Sequence, residues 1–419
     1  MTALKVCMVV KNQLWNDARV KKEALTLSGA GHTVTIISLP EPGAPERETW
    51  NGISVVRVPK AGKLKASVRR ALDSAERKRG FPRRLRENPL KQSLGNLFHS
   101  ILYQRRLLRE ALATRARVFH AHDLDTLAVC AVAAVLLRAK LVYDSHELWL
   151  GSTRHLEETG WLFRTLERTA EKLIAPRAHA VISVTPGREK VMKEMYGGLK
   201  SWLVPNYPPA ISPGVRDPEI RALLGAPSDR CFLFIYQGIL CSHRGLEQLI
   251  EASSLLGDCP VHIAVVGHDA SRGAIKAYAG EKGCAGRITF HPPVPSEELH
   301  RYTAAADGGL LLFQGSCPNH VLSLPNKLFE YMMGALPILA CDLPEITALV
   351  SRHSCGITID ATSPGGIARG MIAMASNTTS ARAMGERGRE AALRHYTWER
   401  SSEALLSVYD SLALRDDPS

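Results

Sequence analysis

The sequence predicts an α/β protein of two successive Rossmann-like units, and three observations predict it. Short β-rich apolar runs alternate with helical patterns, the alternation restarts after a proline-rich joint, and 419 residues with 45% hydrophobic side chains suffice for two or three packed cores. In the first half the expected strands are Lys5 to Val10, Thr33 to Leu39, Ile53 to Val58, Val118 to His122, Leu141 to Ser145 and Ala180 to Val184. Helices such as Ala18 to Ser28 and Asp125 to Arg138 lie between them. This order implies a parallel sheet covered on both faces. The joint is Leu203-Val204-Pro205-Asn206-Tyr207-Pro208-Pro209. Beyond it come Phe232 to Gln237, Val261 to Val266, Arg287 to His291, Gly309 to Phe313, Pro337 to Cys341 and Gly356 to Ile359. The expected units are residues 1–207 and 208–395, with a last helix at 396–415.

Charge is concentrated rather than spread. The net +12 resides in residues 57–117, which hold 18 Lys and Arg against 4 Asp and Glu, leaving the remainder of the chain at −2. Such a block reads either as a solvated face or as a footing on an anionic membrane surface. No aromatic residues interleave with the cations as base-stacking platforms, so no nucleic-acid partner is expected. The nine cysteines form no C-x-x-C pair and read as reduced core thiols of a cytoplasmic protein. The longest uncharged apolar run, Leu127 to Leu137, falls short of the ~18 residues of a span, so neither a signal peptide nor a transmembrane helix is expected.

The chemistry concentrates at strand ends, where open α/β sheets collect ligands. Leu324-Pro325-Asn326-Lys327-Leu328-Phe329-Glu330-Tyr331 joins a polar loop to a short helix. Asn326 and Lys327 fall in its first turn, where free N–H groups favour phosphate, and Glu330 follows one turn later as a partner for a ribose diol. Tyr236-Gln237-Gly238 leads through a turn to Arg244-Gly245-Leu246, a guanidinium at a helix start suited to a diphosphate. In the first half His120 and His122 share one side of a strand, and the next strand ends in Asp144, Ser145, His146 and Glu147. After the first strand there is no G-x-G-x-x-G, which argues against an NAD-dependent dehydrogenase. Asp17 there reads as an N-cap, with Arg19 facing a cleft. Asp123-Leu124-Asp125 spells D-x-D but reads as a helix cap, so no metal is expected.

Taken together, the Tyr236 to Leu246 run, the Leu324 to Pro337 block and the His122 strand end resemble glycosyltransferase family 4, the retaining enzymes of the GT-B fold, in which two Rossmann-like domains face across a cleft. The resemblance spans nearly the whole chain, since Tyr396-Thr397-Trp398-Glu399-Arg400 and the helix after it look like the tail that crosses back onto the first domain. It implies a nucleotide-sugar donor held by the second domain: Glu330 on the ribose, Arg244 and Lys327 on the diphosphate, Asn326 in the same first turn, Gly238 allowing close approach, and Pro293 and Val294 flanking the base. It places His122 near the transferred sugar, with Arg19, Asp144, His146 and Glu147 on the acceptor side. His122, Arg244 and Lys327 are the expected catalytic contributors.

Three features depart from the family pattern, one being the absence of the usual glycine pair after the first strand. Leu322 stands where the first glutamate of a pair would fall, and Ile239 replaces a frequent arginine. The expected function is a retaining hexosyltransferase for polysaccharide or glycoconjugate assembly, with a glycan or lipid-linked acceptor. It needs no cofactor beyond its UDP- or GDP-linked co-substrate and works in the cytoplasm, peripherally at the inner face of the plasma membrane. Two alternatives stay open: a nucleotide-sugar epimerase or hydrolase, and a non-catalytic nucleotide-sugar-binding subunit.

Overall fold

The computed structural model of the chain describes residues 3–59, 89–148, 151, 161–212, 214–226, 231–284, 286–295 and 297–413. Much of the basic 57–117 segment, residues 60–88, lies outside them.

Two sheets organise the chain. The first has eight strands in the order β3-β4-β2-β1-β5-β6-β7-β8: β1 Lys5–Gln13, β2 Thr33–Leu39, β3 Arg47–Trp50, β4 Ile53–Arg57, β5 Val118–His122, β6 Lys140–Ser145, β7 Ala180–Ser183 and β8 Ser201–Leu203. Every pairing is parallel except β3 with β4. Its helices are α1 Ala18–Gly29, α2 Pro89–Ala113, α3 Leu124–Leu137, α4 Trp161–Ile174 and α5 Pro186–Tyr196. The second sheet has six parallel strands in the order β11-β10-β9-β12-β13-β14: β9 Phe232–Gln237, β10 Val261–Val266, β11 Ile288–His291, β12 Gly308–Leu311, β13 Ile338–Cys341 and β14 Gly356–Ile359. Around it run α6 Pro218–Leu223, α7 Leu246–Ser254, α8 Ala274–Glu281, α9 Leu299–Ala304, α10 Pro318–Val321, α11 Asn326–Met333, α12 Pro344–His353, α13 Pro364–Ser376 and α14 Thr378–His395.

The final helix, α15 Trp398–Ala413, belongs to the first domain. Its Trp398, Leu405, Val408, Tyr409 and Leu412 join the core between β1, β2 and α1, each fully buried side chain contributing about 1.5–3 kcal/mol. Trp398 fixes the crossing, its indole donating to Thr26 Oγ1 at 3.0 Å. Tyr207 of the joint packs on Phe329 and Tyr396, with ring centroids 4.6 and 5.3 Å away.

Expected and observed elements differ mainly at the edges. The strand β3, Arg-Glu-Thr-Trp, is polar and antiparallel, and β8 has only three residues, so neither carries an apolar run by which it could be read. Strand β1 runs on to Gln13 because pairing with β2 resumes at Gln13 opposite Leu39 after an irregularity.

Candidate active site at the interdomain cleft

In the second domain, β9 leaves the sheet at Gly238 with φ +132, and a Cβ at Gly267 would fall 1.8 Å from the Gly238 carbonyl oxygen, so glycine is required where these loops touch. The chain then turns through Gly245 (φ +71) into α7, which starts without a side-chain cap. Arg244, just before it, lies over the Phe313 ring at 4.3 Å. Helix α11 likewise begins at Pro325 with no side-chain cap. Lys327 in its first turn is buried, with Nζ 3.8 Å from the Tyr236 ring centroid and 5.2 Å from that of Phe313.

Among the described residues no carboxylate lies within 4 Å of either cation; their partners are the negative faces of aromatic rings. Burial first, and then the neighbouring Arg244 charge, pull Lys327 down to about 7 against the attraction of Glu330. Burial raises the Glu330 carboxyl despite Lys327 and Lys22 nearby. Two helix starts without side-chain caps and two cations without an ion-pair contact favour an anion on this wall.

The first domain answers with a buried network of ion pairs. Arg19 grips Asp144 with two hydrogen bonds (Nε to Oδ2 2.8 Å, Nη2 to Oδ1 2.9 Å), meets Glu23 Oε1 at 2.9 Å and donates to the Val204 carbonyl at 2.9 Å. Asp17 caps α1 by accepting from Val20 N, as its sequence position implies. His120 and His122 stack with centroids 4.4 Å apart, His122 Nδ1 lies 3.2 Å from Asp144 Oδ2, and His120 Nδ1 meets the Tyr409 hydroxyl of α15 at 2.8 Å. Burial works to raise Asp144, but Arg19 and the hydrogen bonds from His122 and His146 hold its carboxyl well below the usual range. Burial, assisted by the Asp144 charge, outweighs Arg19 and pushes Glu23 up to about 7.

Two expectations are corrected here. His122 is only 1% exposed and faces its own domain; the imidazole that lines the cleft is that of His146. Asp123 occupies the cap position of α3 but does not cap it, because its carboxylate accepts from Glu147 N at 3.2 Å and pairs with His146 Nε2 at 2.8 Å. Burial opposes the charged form of His146, but Asp123, then Asp144, overcomes it and holds the imidazolium well above its ordinary pKa. Glu23, His120, His122 and Asp144 bring ligand-type atoms within 4.8 Å of one another, yet Arg19 already bridges both carboxylates.

The cleft has two lobes. One, of about 450 Å³, is lined by Arg19, His146, Glu147, Arg244 and Asn326, joining candidates from both domains. The other, of about 480 Å³, is lined by Lys22, Trp50, Thr303, Asn326 and Glu330. Lys327 and Gly238 lie behind the polar lobe beside each other, a Cβ on Gly238 falling 3.3 Å from Nζ. His122 and Asp144 lie beneath Arg19 and His146. Pro293 and Val294 line neither lobe; Val294 packs partly buried against the second-domain core. Leu322 holds the domains together instead, its carbonyl accepting from Thr185 Oγ1 at 2.9 Å.

The sequence reading missed Lys22, Glu23, Arg188 and Asn319. Lys22 donates to the Tyr207 carbonyl and covers the Trp398 ring at 4.5 Å; burial first, then Arg19, brings it down to about 7. Arg188 donates to the carbonyls of His146 and Asn319, and Asn319 accepts from Leu148 N at 2.9 Å. Only Arg19 and Glu23, four apart on α1, left a readable signal.

Two Rossmann-like domains meet over a cleft that carries Arg244 on one side and Arg19 and His146 on the other. Residues 18–198 match the glycosyl transferase 4-like domain and residues 232–377 the glycosyl transferases group 1 domain. The chain belongs to glycosyltransferase family 4, on the GT-B fold. It is 25% identical over 292 residues to a D-inositol 3-phosphate glycosyltransferase of Nocardia farcinica, the match covering 65% of this chain and 62% of that protein. It is 24% identical over 306 residues to a GDP-mannose-dependent alpha-(1-6)-phosphatidylinositol monomannoside mannosyltransferase of Mycolicibacterium smegmatis, covering 70% and 78%. The fold matches sucrose-phosphate synthase of Thermosynechococcus elongatus with a TM-score of 0.75 at 17% identity, over 99% of this chain and 100% of that one. Among the described residues no helix is long and apolar enough to cross a membrane.

Proposed function

We propose that this glycosyltransferase is a retaining enzyme that moves a hexose from a UDP- or GDP-linked donor to a glycan or lipid-linked acceptor in cell-envelope polysaccharide or glycoconjugate assembly. One observation carries the reading: Arg244 and Lys327 stand on aromatic rings without a carboxylate partner, beside two uncapped helix starts, a potential that a diphosphate neutralises. Glu330 takes the ribose hydroxyls from the adjoining lobe. Negative charge grows on the departing diphosphate oxygen, and preorganised cations and N–H groups there supply the largest share of barrier lowering. The acceptor hydroxyl attacks the anomeric carbon on the face the diphosphate leaves. As the bond from that carbon to the diphosphate breaks and the glycosidic bond forms, the diphosphate oxygen takes the acceptor proton. His146, held cationic by Asp123 and Asp144, and Arg19 shape the acceptor wall. The Mycolicibacterium relative, whose name gives GDP-mannose and a phosphatidylinositol mannoside, supports this choice of donor and acceptor classes.

The test is calorimetric titration with UDP and GDP, followed by donor consumption with lipid acceptors and measurement of the product's anomeric configuration. One nucleotide is expected to bind, with Glu330→Gln weakening it at least tenfold, as loss of a charged hydrogen bond of about 1.5–3 kcal/mol requires. Binding of neither nucleotide overturns the donor site, an inverted anomer overturns retention, and free sugar released without acceptor identifies a hydrolase. Turnover is expected to continue unchanged in excess chelator; activity lost there and restored by manganese overturns the metal-free mechanism.

A further inference from the structure

We propose that the outer face of α2, α3 and α4, together with the adjoining strand-start rim of the first sheet, is a docking surface for an anionic lipid bilayer. The inference rests on the membrane-proximal acceptor named above but reaches a surface that the transfer chemistry does not use. Helix α3 is apolar nearly all round: Leu-Asp-Thr-Leu-Ala-Val-Cys-Ala-Val-Ala-Ala-Val-Leu-Leu. Its inner residues, among them Leu127, Cys130 and Ala134, fill the domain core. Its outer stripe is Ala128, Val132, Val135 and Leu136, at helical spacing over about 12 Å, and it faces outward with Val135 at 78% and Leu136 at 60% exposure. A surface helix ordinarily turns charged residues to water on this side.

The neighbouring helices expose aliphatic side chains as well. Helix α3 packs between α2 and α4, which add Ile101, Leu166 and Leu173, each about half exposed. Among the described residues of these helices, the exposed large apolar side chains are all aliphatic. The patch therefore offers no stacking platform for nucleic-acid bases but suits the boundary between headgroups and acyl chains.

Charge identifies the occupant. The three helices run in the same direction, each ending where β5, β6 or β7 begins. Those starts, with β1 and β8 beside them, read Ala3-Leu4-Lys5, Arg115-Ala116-Arg117, Arg138-Ala139-Lys140, Arg177-Ala178-His179 and Gly198-Leu199-Lys200. Backbone bonds lock them side by side: Arg117 N donates to Lys5 O, Lys140 N to Arg117 O and Val181 N to Lys200 O, each at 2.8 Å. None of the five starts carries a carboxylate, and their Arg115, Arg117, Arg138, Arg177 and Lys200 form a row of cations at the C-terminal ends of these helices. Aliphatic residues that enter the interface beside cations that meet lipid phosphates are the two elements of peripheral membrane binding.

The experiment is flotation of the full chain with phosphatidylglycerol–phosphatidylcholine vesicles and with pure phosphatidylcholine vesicles, at low and high salt, alongside nucleotide calorimetry and size-exclusion light scattering. The wild type is expected to float with the anionic vesicles, more weakly at high salt. The Val132→Ser, Val135→Ser, Leu136→Ser triple variant and the Arg115→Glu, Arg117→Glu double variant are each expected to lose at least tenfold in partitioning, with unchanged melting temperature and nucleotide affinity. A wild type that fails to float while still binding nucleotide overturns the docking surface and leaves the transferase reading intact. Undiminished partitioning of either variant overturns it, as does a wild-type dimer that the stripe variant converts to monomer, which assigns the patch to a second copy of the chain. Loss of nucleotide binding by the wild type overturns the donor site without touching the flotation result.

Discussion

The two walls of the cleft use charge in opposite ways. On the first-domain wall the central charges are paired, Arg19 against Asp144 and Glu23 and His146 against Asp123 and Asp144, while Lys22 at its edge rests on the Tyr207 carbonyl and the Trp398 ring. On the second-domain wall Arg244 and Lys327 lean on Phe313 and Tyr236, with no carboxylate in ion-pair contact among the described residues. The difference separates two tasks. A matched buried network fixes geometry and is costly to break, whereas cations without counter-ions cost stability in the free protein and recover it only when an anion arrives. The first wall is therefore built for shape and the second for a ligand.

Substitutions on the two walls test this separation. Arg19→Met strands the buried Asp144 and Glu23 carboxylates and is expected to lower unfolding free energy by about 3–5 kcal/mol, read as a shifted denaturant midpoint. A loss under 1 kcal/mol would show that the network does not hold the wall. Arg244→Gln and Lys327→Met are expected to leave the midpoint unchanged or raise it, while each costs about 10²–10³-fold in kcat/KM for the donor, roughly 2.7–4 kcal/mol. Either variant that destabilises the fold and spares turnover erases the contrast.

Tyr409→Phe probes the network from the far end of the chain. The phenol is fully buried, and its hydroxyl is the partner of His120 Nδ1 at 2.8 Å. Its removal leaves a buried imidazole nitrogen without a partner, an expected loss of about 1–3 kcal/mol with donor affinity unchanged. An effect on nucleotide binding as large as that on stability would mean that the last helix couples the two walls rather than supporting one.

Legibility in the sequence follows the same division. The second wall is written in contiguous residues: Asn326, Lys327 and Glu330 share one short helix, and Gly238 to Arg244 one turn, so helix geometry alone assembles them. The first wall is written across the chain. Glu23 reads as half of an ordinary i,i+4 surface pair with Arg19, and it is buried only because β5, β6 and α15 close over it, Tyr409 arriving 289 residues after its partner His120. Arg188 and Asn319 bridge the domains through backbone carbonyls and amides, which leave no trace in side-chain pattern. His122 stands at the strand end that the sequence indicates, but strand periodicity cannot tell that its neighbour His146, one residue beyond the next strand, takes the cleft. The apolar outer stripe of α3 was legible as hydrophobicity and illegible as exposure, since both faces of that helix read alike.

The smallest expected effect is a pH dependence, and it isolates Lys327. With burial and Arg244 drawing its pKa down to about 7, the free protein carries the charged ammonium below that pH and the neutral amine above it. A diphosphate binds the charged form, so the complex holds the proton to higher pH than the free protein does. The sign follows: affinity is flat below about pH 7 and falls as pH rises above it, by at most tenfold, about 1.4 kcal/mol, per unit, until the pKa of the complex is reached. A nucleotide sugar is the ligand of choice because its doubly esterified diphosphate does not titrate in this range. Calorimetry at pH 8 in buffers of different ionisation enthalpy is expected to show proton uptake on binding, and Lys327→Met to abolish both the uptake and the slope. Uptake that survives in Lys327→Met would move the proton to the opposite wall, to Lys22 or Glu147, and make that wall a ligand-binding one as well.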